Sequence, residues 1–217
     1  IPSALPIVPV VTGPFYRRHP LVSIAIFSQS SVQIQRGLDE FEIDVGLTYL
    51  DNEPLSHVRS MVLYRERYML LTPTNGPFSG RQSMTWAEAA TLPLCLLTPN
   101  MQYRRIIDSI FNQVNCTVTP DIETDSLVNM CGHVRTGHWS TIVPHGLLNL
   151  HALVEGADVI PLTTPDVTHT VGLVVPDRNP PSPLATAMFA VAKGLDIQGP
   201  IDRGEYLKPG HFIEKAS

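Results

Sequence analysis

The sequence predicts an α/β fold, because short apolar strands alternate with amphipathic helices along most of its length. The pattern is clearest over residues 22–49, where alternating apolar residues give way to helical spacing and then alternate again. The same order of strand, turn and helix recurs over residues 94–111 and 118–134. A length of 217 residues suits one large domain or two small ones.

The segment from Leu38 to Tyr49 is the centre of this pattern. A helix that begins at a Ser31 N-cap leads into it, and the apolar alternation at residues 43–47 predicts a buried parallel strand. Ligands bind beyond the carboxyl ends of strands in open α/β sheets, so Thr48 and Tyr49 mark a candidate site. The alternative is that both residues merely begin a loop.

The remaining elements follow from the same two periodicities. Helices are predicted by a capping box at Thr85 and Glu88 and by apolar stripes within residues 5–15, 106–111, 127–134 and 184–195. Strands are predicted at residues 22–26, 62–72, 94–97, 118–124, 140–143, 159–162 and 171–175. The strands at 62–72 and 171–175 are predicted to carry the chain into a second lobe and back.

Composition and charge are those of an ordinary globular protein and argue against a free-standing DNA-binding surface. Hydrophobic residues make up 43% of the chain, and its net charge of -5 has the wrong sign for wrapping nucleic acid. Cys95, Cys116 and Cys131 lack paired spacing, so they predict buried, reduced thiols in a cytoplasmic protein. No apolar run approaches the ~18 residues of a membrane span. No signal peptide opens the sequence, although one could already have been removed.

Hydroxyl and amide side chains near predicted helix starts form a candidate binding site. They are Ser3, Ser31, Thr98 or Asn100, and Ser126. Helix N-termini present N–H groups and a partial positive charge, so converging helix starts could bind a small anion. Ordinary N-capping explains each residue singly, and only their recurrence after strands favours a site.

Motifs for catalysis, metals and cofactors are lacking in the sequence. Four histidines are separated by five, seven and six residues, which matches no zinc-binding helix pair: His133, His138, His145 and His151. Cys95 and Cys131 fall in apolar stretches, which predicts packed rather than activated thiols. Neither a G-x-S-x-G elbow nor a nucleotide-binding glycine motif occurs. No metal and no cofactor is therefore predicted.

The order of several short motifs resembles the effector-binding domain of LysR-type transcriptional regulators. The motifs are Ser3 to Pro6, FYRRHP at 15–20, IDVGL at 43–47, YMLLTP at 68–73, WAEAATLP at 86–93, residues 105–111, and residues 123–144 with SLVNM. None is specific by itself, but together they run in family order from residue 1 to about 195.

The resemblance implies two Rossmann-like lobes joined by two crossing strands, similar to type 2 periplasmic binding proteins. Lobe I would comprise residues 1–73 and 174–217, and lobe II residues 74–173. A small-molecule effector would be held between the lobes. Its implied contacts are Ser3, Ser31, Thr48 and Tyr49 in lobe I, and Thr98, Asn100, Met101, Pro144 and His145 in lobe II.

The resemblance also implies partners. Such domains pair side by side, so a homodimer is expected, with a tetramer as the alternative for a longer protein. DNA would be bound only through an amino-terminal winged helix-turn-helix, which is absent from this sequence. Besides the absent winged helix-turn-helix, two departures from the family stand out: its first strand should precede Ile1, and Phe41 stands where a helix-ending glycine is usual.

We interpret the sequence as the ligand-sensing, dimerising domain of a bacterial LysR-type regulator in the cytoplasm, with a small anion as effector and no membrane contact. A solute-binding protein of the same fold, for transport or chemotaxis, is the first alternative. An enzyme is the second, and its only candidate group is His145 beside Thr98.

Overall fold

The computed structural model describes residue 2, residues 4–74 and residues 76–203. These residues form two compact units. The chain leaves unit 1 after Glu66, runs through unit 2 from Arg67 to Thr168, and returns to unit 1 at His169. The lobe boundaries predicted from the sequence, after residues 73 and 173, lie five to seven residues beyond these unit boundaries. The division into lobes stays a prediction. None of the described helices is long and apolar enough to cross a membrane.

Unit 1 packs four helices around a three-stranded sheet. Its elements are α1 (Ala4–Arg18), α2 (Ser31–Asp39), β1 (Gly46–Tyr49), β2 (Val58–Glu66), β9 (His169–Pro176), α7 (Pro183–Lys193) and α8 (Gln198–Asp202). β9 lies between β1 and β2 and pairs antiparallel with both. Ile34 and Leu38 of α2 pack on Val174 of β9, so the amphipathic face of this helix covers the sheet.

Unit 2 holds the remaining elements. They are β3 (Tyr68–Pro73), β4 (Met84–Thr85), α3 (Trp86–Ala89), β5 (Cys95–Leu97), α4 (Gln102–Gln113), β6 (Ile122–Thr124), α5 (Leu127–Arg135), β7 (Thr141–Pro144), a 3-10 helix (His145–Asn149), α6 (His151–Val154) and β8 (Ala157–Thr163). One sheet has the order β4-β8-β3-β7, and β5 pairs with β6 in parallel. Trp86 and Phe111 meet edge to face in the core, 5.4 Å between ring centroids.

The prediction of a parallel strand at residues 43–47 is wrong in both position and direction. The strand begins only at Gly46, runs to Tyr49, and pairs antiparallel with β9. Ile43 is still part of the turn that ends α2, since its N–H donates to the carbonyl of Gly37 at 3.1 Å. Thr48 and Tyr49 therefore lie inside the strand rather than beyond its end.

The prediction of a strand at Val22–Ile26 is also wrong. The segment is irregular, and no described residue pairs with it in a ladder. Leu21, Ile26 and Phe27 are largely exposed, with Ile26 at 63% and Phe27 at 66%. Alternating apolar residues suit a strand, but a strand forms only where another backbone meets its N–H and C=O groups.

The helix starts are mostly as predicted. Thr85 and Glu88 form both halves of the expected capping box, and Ser126 caps α5 by accepting from the N–H of Asn129. At α2, however, Ser30 rather than Ser31 is the N-cap, with Gln33 completing a capping box. Ser31 is therefore the first residue of the helix.

Phe41 occupies the left-handed position that ends α2, with φ of 59°. The N–H of Glu42 donates to Gly37 and that of Phe41 to Leu38, which are the two hydrogen bonds of a Schellman motif. The turn geometry for which a glycine is usual is thus retained by a phenylalanine, whose ring lies 4.9 Å from the guanidinium of Arg178.

Candidate functional site

The turn between β5 and α4 holds three of the predicted site residues. The N–H of Thr98 donates to Thr124 and that of Met101 to Thr98, each at 3.0 Å, so the turn is fixed to β6. Asn100 is exposed, and Met101 is the N-cap of α4 but provides no side-chain cap. The 12-residue helix therefore begins at this turn without a capping side chain, where its dipole favours negative charge.

Thr98 has a buried hydroxyl with no hydrogen-bond partner among the described residues. A buried hydroxyl without a partner costs free energy, on the order of 1–3 kcal/mol. A bound ligand with an acceptor atom at this place would recover that cost. Thr98 thus places an unsatisfied hydroxyl near the start of a helix.

Arg104 of α4 binds the backbone just before this turn. The sequence analysis did not identify it. Its guanidinium donates to the carbonyl of Leu97 at 2.7 Å, to Asp108 at 2.8 Å and to Glu123 at 2.6 Å. Burial lowers the pKa of Arg104, but the hydrogen bonds that its guanidinium donates to Asp108 and Glu123 outweigh this effect, so the pKa is raised overall. The i, i+4 spacing of Arg104 and Asp108 could have predicted their ion pair from the sequence. The contact with Glu123 could not be predicted, because that residue lies 19 positions away.

Pro144 and His145 follow one another at the end of β7, and both are buried. His145 makes a reciprocal pair with Arg67, because its Nδ1 accepts from the N–H of Arg67 at 3.0 Å and its own N–H donates to Arg67 O at 2.9 Å. Nδ1 is therefore the unprotonated nitrogen, and a neutral His145 carries its hydrogen on Nε2.

Ser31, at the start of α2 in unit 1, is largely buried and borders a surface cavity of about 460 Å³. Gln35, one turn further along α2, also lines that cavity, and its side chain accepts from the N–H of Ser56 at 2.7 Å and donates to the Ser56 carbonyl at 3.1 Å. The N-terminal end of α2 is thus near a surface depression within unit 1.

Thr48 and Tyr49 are adjacent in β1, so their side chains lie on opposite faces of the sheet, and both residues are buried, with exposures of 1% and 0%. The hydroxyl of Tyr49 donates to the carboxylate of Glu66, and that of Tyr64 donates to the same carboxylate at 2.8 Å. Glu66 is itself 0% exposed. Sequence reasoning did not find this cluster, because Glu66 carries no local signal beyond its position at the end of a strand.

The predicted site residues therefore fall into separate groups. Thr98, Asn100 and Met101 share one turn of unit 2, while Pro144 ends β7 and His145 begins the 3-10 helix that follows it in the same unit. Ser31, Thr48 and Tyr49 belong to unit 1. Ser3 lies outside the described residues.

The cysteines in the interior are not activated thiols. Cys95 is 0% and Cys131 1% exposed, which confirms the prediction that both are packed, whereas Cys116, also predicted to be buried, is only partly buried. Burial raises the pKa of each to about 11. Within the described part of the chain, no three His, Cys, Asp or Glu residues are grouped so as to hold a metal ion.

The chain thus consists of two α/β units, each with polar groups at strand and helix ends. Comparison with known families makes the class definite: the chain belongs to the LysR substrate binding domain family, whose profile matches residues 2–195. It is the effector-binding domain of a LysR-type regulator, as its motif order predicted. The predicted fold, of the periplasmic-binding-protein type, is also confirmed.

Two curated relatives are transcriptional activators. A probable nitrogen assimilation transcriptional activator of Synechococcus elongatus is 22% identical over 78% of this chain and 56% of that protein. The transcriptional activator protein LysR of Escherichia coli is 27% identical over 82% of this chain and 57% of that protein. The chain thus spans little more than half the length of either relative.

Solved structures share the fold at low sequence identity. The effector binding domain of QuiR, in complex with shikimate, is 19% identical with a TM-score of 0.73, covering 85% of this chain and 88% of that one. An H2O2-bound mutant of Corynebacterium glutamicum OxyR is 20% identical with a TM-score of 0.75, covering 94% and 63%.

Proposed function

We propose that this domain binds a small anionic effector and that binding controls transcription in a longer bacterial regulator. The observation that carries the proposal is the unsatisfied hydroxyl of Thr98 beside the uncapped start of α4. A carboxylate or oxyanion would accept a hydrogen bond from Thr98 and would be favoured by the helix dipole. The known relatives support the regulatory part, since both are transcriptional activators.

Other predicted residues complete the proposed site. Asn100 and Met101 would contact the effector from the same turn, with Pro144 and His145 nearby in unit 2, and Ser3, Ser31, Thr48 and Tyr49 would contribute from the first lobe. Lobe I would then be residues 1–73 with 174–217, and lobe II residues 74–173. We propose a homodimer of the domain, cytoplasmic location, and DNA binding through a separate amino-terminal domain of the longer protein.

The role of the proposed effector is regulatory rather than catalytic. His145 was the one candidate for a catalytic group, but its Nδ1 already accepts from the N–H of Arg67. An effector would act by binding one conformation of the domain more tightly than another. Neither Cys95 nor Cys131 suits peroxide sensing, because both thiols are buried and burial raises the pKa of each to about 11.

A thermal-shift screen tests the proposal. The ligands are sulfate, phosphate, amino acids and small carboxylates, with shikimate among them. A ligand at 100 times its dissociation constant adds ~2.7 kcal/mol of stability, which is easily measured. We expect at least one anion to raise the melting temperature saturably.

Thr98→Val is the decisive variant, because it keeps the shape of the side chain and removes the hydroxyl. It should weaken the anion's affinity about tenfold, the effect of one lost hydrogen bond. Thr117→Val, at an exposed position of the same unit, is the matched control and should leave affinity unchanged. Binding that Thr98→Val does not alter would place the effector elsewhere.

A further inference from the structure

β2 is an edge strand of the sheet in unit 1. The strand order β1-β9-β2 leaves one side of β2 without a neighbouring strand among the described residues. An open strand edge presents unpaired N–H and C=O groups, to which a strand of another molecule can add. β2 runs for nine residues, from Val58 to Glu66, which is long enough for such pairing. The edge of β2 therefore needs protection from other molecules.

A β-bulge disturbs the middle of this edge. The pairing of β2 with β9 shifts in register between Val62 and Tyr64, so Leu63 is the extra residue. A bulge bends the strand and increases its twist, which makes the edge a poor template for another strand. The pairing is regular again from Tyr64 to Glu66, so this end of the edge must be closed in another way.

The side chain of Gln198 in α8 occupies the edge at Arg65. Its Oε1 accepts from the N–H of Arg65 at 2.7 Å, and its Nε2 donates to the carbonyl of Arg65 at 3.3 Å. A residue of a neighbouring antiparallel strand would exchange the same two hydrogen bonds with Arg65. The amide of Gln198 therefore takes the place of a strand at this position.

The rest of α8 holds that amide in place. One turn after Gln198, the carboxylate of Asp202 accepts from Nε2 of Gln198 at 3.0 Å, which fixes the amide with its nitrogen toward the Arg65 carbonyl. Ile197 and Ile201 precede these two polar residues by one position, and each is 2% exposed. A helix of five residues is too short to be stable alone, so α8 depends on its packing against β2.

The same arrangement of side chains occurs a second time in unit 1. Gln35 of α2 accepts from the N–H of Ser56 at 2.7 Å and donates to its carbonyl at 3.1 Å, and Asp39 accepts from the same amide at 2.9 Å. Ser56 precedes β2 and belongs to no strand. This second pair therefore fastens a loop rather than a sheet edge, and it provides a matched control for the first.

We propose that α8 (Gln198–Asp202) is a strap that closes the end of the β2 edge and prevents a second copy of this chain from pairing there. An antiparallel pair of identical edges is related by a two-fold axis, so β2 of a second copy matches this edge in length and direction. α8 lies beyond residue 195, where the match to the family profile ends, so the profile does not describe the strap.

Hydrogen exchange of the Arg65 amide tests the closure. Gln198→Met keeps the length of the side chain and removes both hydrogen bonds, so exchange at Arg65 should rise about tenfold relative to Leu173 in the middle of β9. Gln35→Met should raise exchange at Ser56 instead and leave Arg65 unchanged. Equal exchange at Arg65 in Gln198→Met and in the native protein would show that the amide does not close the edge.

Sedimentation velocity over a range of concentrations tests the consequence for association. Gln198→Met should form larger species at about tenfold lower concentration than the native protein, whereas Gln35→Met should match the native protein. Adding Val62→Lys, a charge at an exposed position of β2, should abolish this difference, but Val128→Lys on α5 should not. If Gln198→Met sediments as the native protein does, or if both lysines act alike, the strap does not guard this edge.

Discussion

Tyr49 donates a hydrogen bond from its hydroxyl to the carboxylate of Glu66, and both side chains are 0% exposed. A buried carboxylate is stable only where donors replace its lost water. We therefore expect Tyr49→Phe to lower the free energy of unfolding by about 2 kcal/mol, the usual effect of a hydrogen bond to a charged group. Urea denaturation measures it, with Tyr16→Phe at a half-exposed position as the control. A loss no larger than the control's would contradict this.

Glu88 should make stability depend on acid pH. A backbone hydrogen bond from Thr85, followed by hydrogen bonds from Arg81 and the Thr85 hydroxyl, lowers the pKa of Glu88 to about 2. A carboxylate with a lowered pKa adds stability above its unfolded pKa near 4.5, and loses it as pH falls toward 2. The native protein should thus melt above Glu88→Gln at pH 7, with the difference shrinking below pH ~4.5. A difference that stays constant down to pH ~2.5 would show that the carboxylate charge is unimportant.

The three thiols should differ in reactivity. Cys95 and Cys131 are buried with raised pKa values, whereas Cys116 is partly exposed. Ellman's reagent at pH 8 should therefore modify Cys116 alone in the folded protein and all three thiols after unfolding. The Cys116→Ser variant should show no fast-reacting thiol. Rapid reaction of that variant would mean that a buried cysteine becomes accessible in the native state.

Phe41 offers a test of backbone strain at the end of α2. Phe41→Ala and Phe41→Gly both remove the ring and its contact with Arg178, but only glycine relieves the left-handed φ of 59°. The glycine variant should be the more stable of the two by about 1 kcal/mol, as measured by urea denaturation. Equal stabilities would indicate that the left-handed turn costs nothing here.

The exposed apolar segment at 21–28 should promote self-association of this chain. It carries no charge, and Ile26 and Phe27 face solvent without a paired strand among the described residues. Unpaired apolar edges of this kind invite intermolecular pairing. Ile26→Lys should reduce concentration-dependent association in sedimentation experiments, while changing stability by no more than about 0.5 kcal/mol. Val128→Lys, at an exposed residue of α5, controls for added charge.

Local signals in the sequence determined several helix starts and much of the core. The capping box at Thr85 and Glu88, the Ser126 cap and the α4 stripe through Ile106 and Ile110 are all found in the structure. Each depends on residues three or four apart, so a short window of sequence contains the whole interaction. The motif order likewise sufficed to identify the family.

Only the tertiary structure decided the features that depend on residues far away in the sequence, namely strand pairing and buried hydrogen bonds. The direction of β1 is set by β9, which returns to unit 1 more than a hundred residues later, and that pairing places Thr48 and Tyr49 in the interior. No nearby residue predicts that Tyr49 meets Glu66, or that His145 meets Arg67. Strand pairing and buried hydrogen bonds join residues far apart in sequence, and a period of two shows that a strand can form without showing what it pairs with.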